Sequence, residues 1–261
     1  MQHYSRNLHN LNIDVVGQGY VHLDKSWNCD DARNYFTRLY LVTGGSGYLH
    51  SKTEHIQMLP GNIYLIPSEY DFGFGCESLE KVFFHILLPS IDKTDTLSSI
   101  DRILILPDSG DLIDSLRQLH NSTDIASLIK TKMLVYTILD NFFTRYNLQL
   151  AENQEFSPLV ENALTYLWEN ISVKLSVKDI AEHLFVSESK LRNAFKDEVG
   201  TALGTYIDDA VFFTVRKMLS AEYPIGHIAN MLEFCDRNYL SRRFKEKFGK
   251  TISQYRQELK V

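Results

Sequence analysis

The sequence predicts a two-domain α+β protein, in which a β-barrel with appended helices precedes an all-α domain. Three observations lead to this fold class. Short apolar runs separated by Gly and Pro corners occupy residues 20–89. After Leu106-Pro107 the apolar period becomes helical. Between residues 176 and 255 the same helix-turn-helix pattern occurs twice. The predicted boundaries are 1–150 for the first domain, 151–156 for a linker and 157–261 for the second domain.

The composition agrees with two buried cores. The chain has 261 residues, which exceeds a typical single domain, and 44% of them are hydrophobic. The sequence contains neither an apolar run of membrane-spanning length nor a signal-peptide pattern, so we expect a cytoplasmic protein. Three widely spaced cysteines, Cys29, Cys76 and Cys235, indicate reduced thiols rather than a disulfide framework.

The first domain begins with a polar segment, up to about Gln18, which we predict to be a flexible arm. The following β-type runs span residues 19–23, 36–43, 47–50, 55–59, 63–66 and 81–88. Turns are predicted at 44–47, 60–62 and 67–69 because Gly, Pro, Ser and Asn concentrate there. Many short strands with such corners are typical of a barrel or jelly roll.

One motif in these strands bears on metal binding. Gly61, five further residues and Pro67 resemble the second motif of cupin barrels. In cupin enzymes a metal-binding His follows that Pro by five residues, and this position is Phe72 here. The remaining candidates, His50, His55 and His85, lack ligand spacing, and we expect them to be packed or hydrogen-bonded. The sequence therefore predicts no metal, no cofactor and no enzymatic activity, although a cupin-type enzyme stays as an alternative.

A metal-free barrel can still hold a small ligand in its mouth. Alternation through Phe72 places Phe74 on the same inner side, and a plain core role is the alternative for each aromatic residue. Arg38 is more informative, because a charge within an apolar strand needs a partner and an anionic or hydroxyl-rich effector supplies one. The candidate effector-binding residues are Arg38, Tyr40, Tyr64, Phe72, Phe74 and Phe84.

Two helices, predicted at 111–120 and 124–146, follow the barrel. The second carries apolar residues around most of its circumference, so it is expected to be buried on more than one side. One side can cover the barrel and another a second subunit, which predicts a homodimer through 124–146. Ile138 and Leu139 are expected to contribute to that subunit contact. Ser157 and Pro158 then cap and open the first helix of the second domain.

The second domain is built on a duplication. Its first copy reads Ile180-Ala181-x-x-Leu184-x-Val186, and its second reads Ile228-Ala229-x-x-Leu232-x-Phe234. The offset is about 48 residues up to the turn and about 49 beyond it, so both copies keep one apolar frame. In the first copy, Ser176 with Asp179 predicts a capping box, and Ser187 predicts the cap of the next helix.

In each copy the later helix can lie in a DNA major groove. Two apolar residues four apart face inward, and polar residues that suit base edges and phosphates face outward. The candidate DNA-binding residues are Ser189, Lys190, Arg192, Asn193 and Lys196 in the first copy, with Arg237, Asn238, Ser241, Arg242 and Lys245 in the second.

From Leu175 to Arg256 the chain resembles the AraC/XylS family of bacterial transcription regulators. The ending from Phe244 to Thr251, with Tyr255-Arg256, carries much of this likeness. Three positions depart from the family pattern: Glu233 stands where the family usually has Gly, Val211 where Arg is common, and Ile252 where Pro is common. The resemblance implies an N-terminal cupin-like sensor barrel and a C-terminal double helix-turn-helix.

The charge distribution fits DNA binding. The net charge of the chain is -6, yet residues 237–261 carry eight Lys or Arg against two Asp or Glu. The sequence thus predicts an effector-controlled activator that binds a double-stranded DNA operator and RNA polymerase. It would be nucleoid-associated when bound. A constitutive DNA binder with a vestigial barrel is the other alternative.

Overall fold

The computed structural model describes residues 12–89, 95–108, 111–149 and 156–259. The chain divides into two compact units between residues 153 and 154. The described part of the first unit contains a β-sheet, a short 3₁₀ helix (Thr96–Ser99) and two α-helices. The second is entirely helical among its described residues.

Seven described strands form the sheet of the first unit. They are β1 (Asp14–Asp24), β2 (Asn28–Ala32), β3 (Thr37–His50), β4 (His55–Met58), β5 (Asn62–Ile66), β6 (Phe72–Leu87) and β7 (Leu104–Pro107). Every pairing is antiparallel, and the main order is β1-β6-β3-β5-β7, with β2 added to β6 and β4 added to β3. Strand pairing follows an open path through the described part of the chain rather than a closed ring.

The sheet has two buried faces. Leu39, Leu41, Val82 and Phe84 lie on one face, in a cluster that also contains apolar residues from the helices after the sheet. Tyr40, Val42, Tyr64 and Phe74 lie in a second cluster, on the face that we call the inner face. Alternating residues of β3 therefore serve two cores, as expected for a strand buried on both sides.

Two predictions about these strands need correction. Residues 44–47, predicted as a turn, lie within β3, where the register shifts between Val42 and Gly44 and again between Ser46 and Gly47. Gly45 has φ +69, so the glycines serve a bulged strand instead of a hairpin corner. The predicted arm ends earlier than Gln18, because β1 begins at Asp14, while residues 1–11 lie outside the described residues.

A bulge in β6 decides which side chains reach the inner face. Ser46 pairs with Ser78 while Gly47 pairs with Cys76, so Glu77 is an extra residue on β6. Before it, Phe72, Phe74 and Cys76 belong to the inner cluster. Beyond it the parity is reversed, and Phe84 joins the opposite cluster. Lys81 and His85 therefore share the inner face with Tyr40.

Helices α1 (Leu112–Leu119) and α2 (Ile125–Tyr146) complete the first unit. The side chain of Asp124 caps α2 by accepting from the Ser127 N–H. Ile138 and Leu139 are buried in the cluster beneath the sheet. The expectation that these two residues face a second subunit is therefore wrong, because they seal α2 against its own sheet.

The second unit contains seven described helices: α3 (Pro158–Glu169), α4 (Val177–His183), α5 (Glu188–Val199), α6 (Leu203–Ser220), α7 (Ile225–Met231), α8 (Arg237–Phe248) and α9 (Ile252–Leu259). Ser157 caps α3 with Pro158 in its first turn, and Ser176 with Asp179 forms a capping box at α4. These caps confirm the local sequence signals. Helix α6 joins the two helix-turn-helix copies, α4–α5 and α7–α8.

Candidate functional site

Helix α5 carries the first group of candidate DNA-binding residues. The Ser187 hydroxyl accepts a 3.3 Å hydrogen bond from the Lys190 N–H, which fixes where the helix begins. Leu191 and Phe195 are fully buried and orient the helix. The five predicted DNA-binding residues of this copy, Ser189, Lys190, Arg192, Asn193 and Lys196, are all exposed on the same helix.

Helix α8 is built in the same way. The Asp236 carboxylate accepts from the N–H groups of Asn238 at 2.6 Å and Tyr239 at 2.8 Å. Leu240 and Phe244 are buried. Of the predicted residues, Arg237, Asn238, Arg242 and Lys245 are exposed, whereas Ser241 is half-buried and donates its hydroxyl proton to the Arg237 carbonyl oxygen at 2.8 Å.

Two of the exposed arginines, Arg192 and Arg242, form weak ion pairs within their own helices. Arg192 Nη2 lies 2.9 Å from Glu188 Oε2, and Arg242 Nε lies 3.9 Å from Glu246 Oε1. Both are exposed pairs at i,i+4 spacing, which are worth roughly 0.3–0.5 kcal/mol. A phosphate or a base edge can therefore compete with the carboxylate for each guanidinium group at small cost.

The turns confirm that the two copies are one structural unit repeated. After α4, the N–H of Val186 bonds to the Ala181 carbonyl and that of Phe185 to the Glu182 carbonyl. After α7, the N–H of Phe234 bonds to Ala229 and that of Glu233 to Asn230 in the same pattern. This is the Schellman motif, whose left-handed position favours glycine. Phe185 with φ 55 and Glu233 with φ 58 occupy it instead.

Aromatic packing repeats as well. Phe195 of α5 meets Tyr206 edge-on with ring centroids 5.2 Å apart, and Phe244 of α8 meets Tyr255 in the same way at 5.4 Å. Such contacts contribute roughly 0.5–1.5 kcal/mol beyond the area they bury. Helices α5 and α8 are thus each packed against the rest of the domain by an equivalent aromatic pair.

An ionic network that sequence reasoning missed attaches α8 to α6. Arg243 Nη2 lies 2.8 Å from Asp208 Oδ1, and Lys247 Nζ lies 2.6 Å from Asp208 Oδ2 and 2.7 Å from Asp209 Oδ1. Hydrogen bonding to Tyr239 raises the pKa of Arg243, with Asp208 adding to the effect. The adjacent Asp208-Asp209 pair within an apolar helix was the available signal for this network.

Comparison with known proteins extends the likeness over both units. A helix-turn-helix domain model matches residues 180–258. The arabinose operon regulatory protein of Salmonella typhimurium is 21% identical over 231 residues, covering 84% of this chain and 82% of that protein. The lactose operon transcription activator of Staphylococcus xylosus is 22% identical over 249 residues, covering 85% and 84%.

A solved structure adds the fold. ToxT from Vibrio cholerae superimposes with a TM-score of 0.54 at 14% sequence identity, covering 94% of this chain and 99% of that one. These findings support the likeness of the chain to the AraC/XylS family of transcription regulators. The predicted family and the two-domain α+β fold class are thereby confirmed.

In the first unit, the inner face of the sheet collects most of the candidate effector-binding residues. Arg38 is buried, and its Cζ atom lies 4.9 Å from the ring centroid of Phe36 and 5.0 Å from that of Phe72. Phe72 and Phe74 are 5.8 Å apart. Tyr40 is fully buried nearby, and burial raises the pKa of its hydroxyl, which hydrogen-bonds to Arg38.

Two candidates have other positions or roles. Tyr64 lies in the inner cluster, but its hydroxyl accepts from the Leu59 N–H at 2.9 Å and donates to the Gln57 carbonyl at 3.2 Å. Its polar atom thus holds the turn between β4 and β5. The placement of Phe84 beside the other candidates is corrected, because the β6 bulge turns it toward the helix-covered face.

Two basic residues of the inner face, Lys81 and His85, were missed by sequence reasoning. Lys81 lies with its Nζ atom 3.2 Å from the Tyr40 ring centroid and 4.0 Å from that of Trp27. His85 stacks on Phe36 at 4.3 Å. The position of Lys81 directly before an apolar run of β6 was a signal in the sequence. Strict alternation along β6, without the bulge, would instead point Lys81 and His85 outward.

The described residues offer neither a metal cluster nor a membrane-spanning helix. In these ranges no group of three or more His, Cys, Asp or Glu side chains is arranged to hold a metal ion. His50 and His55 face each other across β3 and β4 and stack on Tyr48 with ring centroids 6.0 and 5.9 Å away. Among the helices described, none is long and apolar enough to cross a membrane.

Helix α2 leaves an apolar stripe exposed. Ile125, Ile129 and Met133 follow at i, i+4 and i+8, with Leu128 beside them, and Ile125 is 77% exposed. The stripe lies near the N-terminus of α2, whereas the buried residues Val135, Ile138, Leu139 and Phe142 lie further along the helix. An apolar stripe of this kind on a helix is a common mark of an interface.

Proposed function

We propose that the chain activates transcription by binding a double-stranded DNA operator through α5 and α8, under control of a small molecule in its first unit. The observation that carries the proposal is the pair of equivalent reading helices. Each is capped, anchored by two buried apolar residues and exposed on its polar side. Such helices enter the major groove in double helix-turn-helix readers.

The side chains divide into two kinds of contact. Arg192, Arg242 and Asn238 can form bidentate hydrogen bonds with base edges, which gives sequence discrimination. Lys190, Lys196 and Lys245 are point charges suited to phosphates, which position the protein and make affinity depend on salt. We assign the reading role to the first set and the positioning role to the second.

The experiment begins with selection of a binding sequence from random DNA by the full chain, followed by footprinting. We expect protection of two major-groove segments on one DNA face. Arg242→Ala should weaken binding by roughly 1–3 kcal/mol and relax preference at one base position. Lys245→Ala should weaken binding to all sequences and flatten its salt dependence.

Arg145→Ala is the matched control, because Arg145 is an exposed arginine of α2, outside the DNA-binding unit. It should leave operator affinity unchanged. If Arg242→Ala keeps both affinity and sequence preference, the proposed docking of α8 is incorrect.

Control by an effector is supported by the inner face and by a relative. ToxT has been solved with an unsaturated fatty acid bound. The inner face of this chain holds buried polar side chains among aromatic rings, an arrangement found where small molecules bind. A constitutive binder with a vestigial barrel would instead show the same operator affinity with every metabolite tested, and a cupin-type enzyme would turn a metabolite over.

We further propose a homodimer through the exposed stripe of α2, residues Ile125, Leu128, Ile129 and Met133. The same stripe on two copies can be self-complementary around a two-fold axis. Dimerisation would place two chains, each with two DNA-binding helices, on one operator. The avidity would rise without a new base contact. Activation then requires contact with RNA polymerase, in the bacterial cytoplasm and on nucleoid DNA.

Analytical ultracentrifugation tests the dimer. The wild type is expected to sediment as a dimer, and Ile129→Glu with Met133→Glu as a monomer, because two charges would be buried without partners. Lys130→Glu, on the exposed part of the same helix, controls for the added charge. A wild type that remains monomeric on operator DNA would contradict the proposal.

A further inference from the structure

Three basic side chains are buried together on the inner face. Arg38 is 2% exposed, Lys81 0% and His85 6%. The register of β3 and β6 places Arg38 opposite His85 and Val42 opposite Lys81, with Tyr40 between the two pairs. The long Arg38 and Lys81 side chains converge from opposite directions on Tyr40, since one bonds to its hydroxyl and the other lies over its ring.

No acidic side chain of the described residues balances these groups. Arg38 Nε, Lys81 Nζ and His85 Nε2 are buried without a hydrogen-bond partner there. The nearby buried carboxylate, Asp95, is already bonded to the Thr37 hydroxyl at 2.6 Å and to the Leu88 N–H at 2.9 Å. Burial of basic groups without counter-ions is costly, and such groups cluster at functional sites.

The electrostatics of the cluster agree with this geometry. Burial lowers the pKa of Lys81 well below its usual range, and the Arg38 charge lowers it further. Burial likewise lowers the pKa of His85, with Arg38 and Lys81 adding to the shift. The groups that act on His85 are both basic, so the cluster favours an anionic ligand over a cationic one.

Aromatic rings compensate only part of this charge. The rings of Trp27 and Tyr40 flank the Lys81 amine, and those of Phe36 and Phe72 flank the Arg38 guanidinium. A ring face attracts a cation, yet it does not provide the strong acceptor that a guanidinium N–H or an ammonium requires. An anion placed among these groups would provide such an acceptor.

We propose that the inner face binds a small organic monocarboxylate with an apolar or aromatic body. Arg38 and Lys81 bind the carboxylate oxygens, the N–H groups of Arg38 giving the directional contact. Trp27, Phe72 and Phe74 contact the apolar body of the ligand. This inference rests on the proposed effector-controlled function and specifies the chemical class of its effector.

A monocarboxylate fits better than a phosphate or a sugar. The cluster offers few donors and is otherwise walled by rings, which suits one delocalised charge on an apolar body. A phosphate dianion would need more donors around it. A neutral sugar would leave the buried positive charge uncompensated.

The test uses the full chain and matched probes. Benzoate and decanoate are compared with benzamide and decanol by thermal shift and isothermal titration calorimetry. We expect the carboxylates to raise the melting temperature and the neutral analogues to have no effect. Lys81→Met and Lys81→Gln should each weaken carboxylate binding by roughly thirtyfold or more, whereas Lys52→Met, at an exposed lysine, should not.

The ligand-free stability of the variants separates a binding role from a structural one. If Lys81 is kept for a ligand, Lys81→Met should raise the melting temperature of the free protein, because a costly buried amine is replaced by an apolar chain of similar length. If Lys81 only supports the fold, both variants should melt at lower temperature and the proposal is overturned.

Other outcomes also decide the matter. Binding of the neutral analogues with equal or greater shifts, or no shift with any carboxylate at millimolar concentration, would overturn the proposal. Operator binding, measured on the same preparations, reports on the DNA-binding function separately. Intact operator binding with no carboxylate response would therefore reject the ligand class alone.

Discussion

The left-handed residue in the first helix-turn-helix gives a prediction whose size can be worked out. Phe185 has φ 55 and is 95% exposed, so its ring makes little packing contact that a substitution would remove. A non-glycine residue in this conformation costs about 1–2 kcal/mol. Glycine avoids that cost but loses about 0.4–1 kcal/mol through the entropy of the unfolded chain. The difference favours Phe185→Gly by roughly 0.5–1 kcal/mol over Phe185→Ala.

Alanine is the proper reference, because both substitutions remove the ring and keep the N–H that bonds to Glu182. For a domain near 100 residues the difference corresponds to about 4 °C in melting temperature. The sequence has two tryptophans, so Trp27→Phe leaves Trp168 of α3 as the fluorescent reporter of the second unit. Urea unfolding of the full chain in that background gives the free energies. If the alanine variant equals or exceeds the glycine variant, the reasoning from backbone strain is wrong.

Three further predictions concern other parts of the fold. Asp208→Asn should lower the stability of the second unit by about 1 kcal/mol, since it breaks two ion pairs of α8, while Asp209→Asn should cost less; urea unfolding compares them. The lowered pKa of His85 means that the unfolded chain takes up a proton near pH 6.5 and the folded chain does not. Stability should therefore fall on acidification by up to about 1.4 kcal/mol per pH unit, and a His85→Gln variant measured over the same pH range should lack this part of the slope. Gly45→Ala should cost roughly 3 kcal/mol or more, because its Cβ would lie 2.2 Å from the Ser78 carbonyl oxygen, whereas Gly61→Ala meets no atom within 4 Å and should cost only its backbone strain; thermal melting separates the two.

Local signals in the sequence predicted the second unit well. Ser157 with Pro158, Ser176 with Asp179, and Ser187 cap the helices that they were expected to cap. Such caps depend on residues three or four apart, and the duplication supplied an internal check. The outward side chains of α5 and α8 followed directly from the helical period once the buried pairs were known.

Features that depend on distant partners escaped prediction. Gly44–Gly47 contain the residues of a turn, yet β3 continues through them because β6 is long enough to pair along its whole length. The single extra residue Glu77 reverses the parity of the following residues of β6. Lys81 and His85 therefore lie on the inner face, where the sequence had predicted Phe84. No local signal distinguishes a bulge from regular alternation. The positions of Lys81 and His85 beside Arg38 on the inner face were therefore visible only in the folded chain.

The length of α6 has a consequence for the DNA itself. This helix has 18 residues and is about 27 Å long, whereas successive turns of the major groove on one face are about 34 Å apart. The ion pairs of Arg243 and Lys247 with Asp208 fix α8 to α6. If α5 and α8 are separated by the length of α6, a straight duplex would place its second groove segment some way beyond α8, and bending toward the protein would shorten that distance. Base pairs lying between the two contacted segments, which no side chain touches, would be selected for how easily they kink.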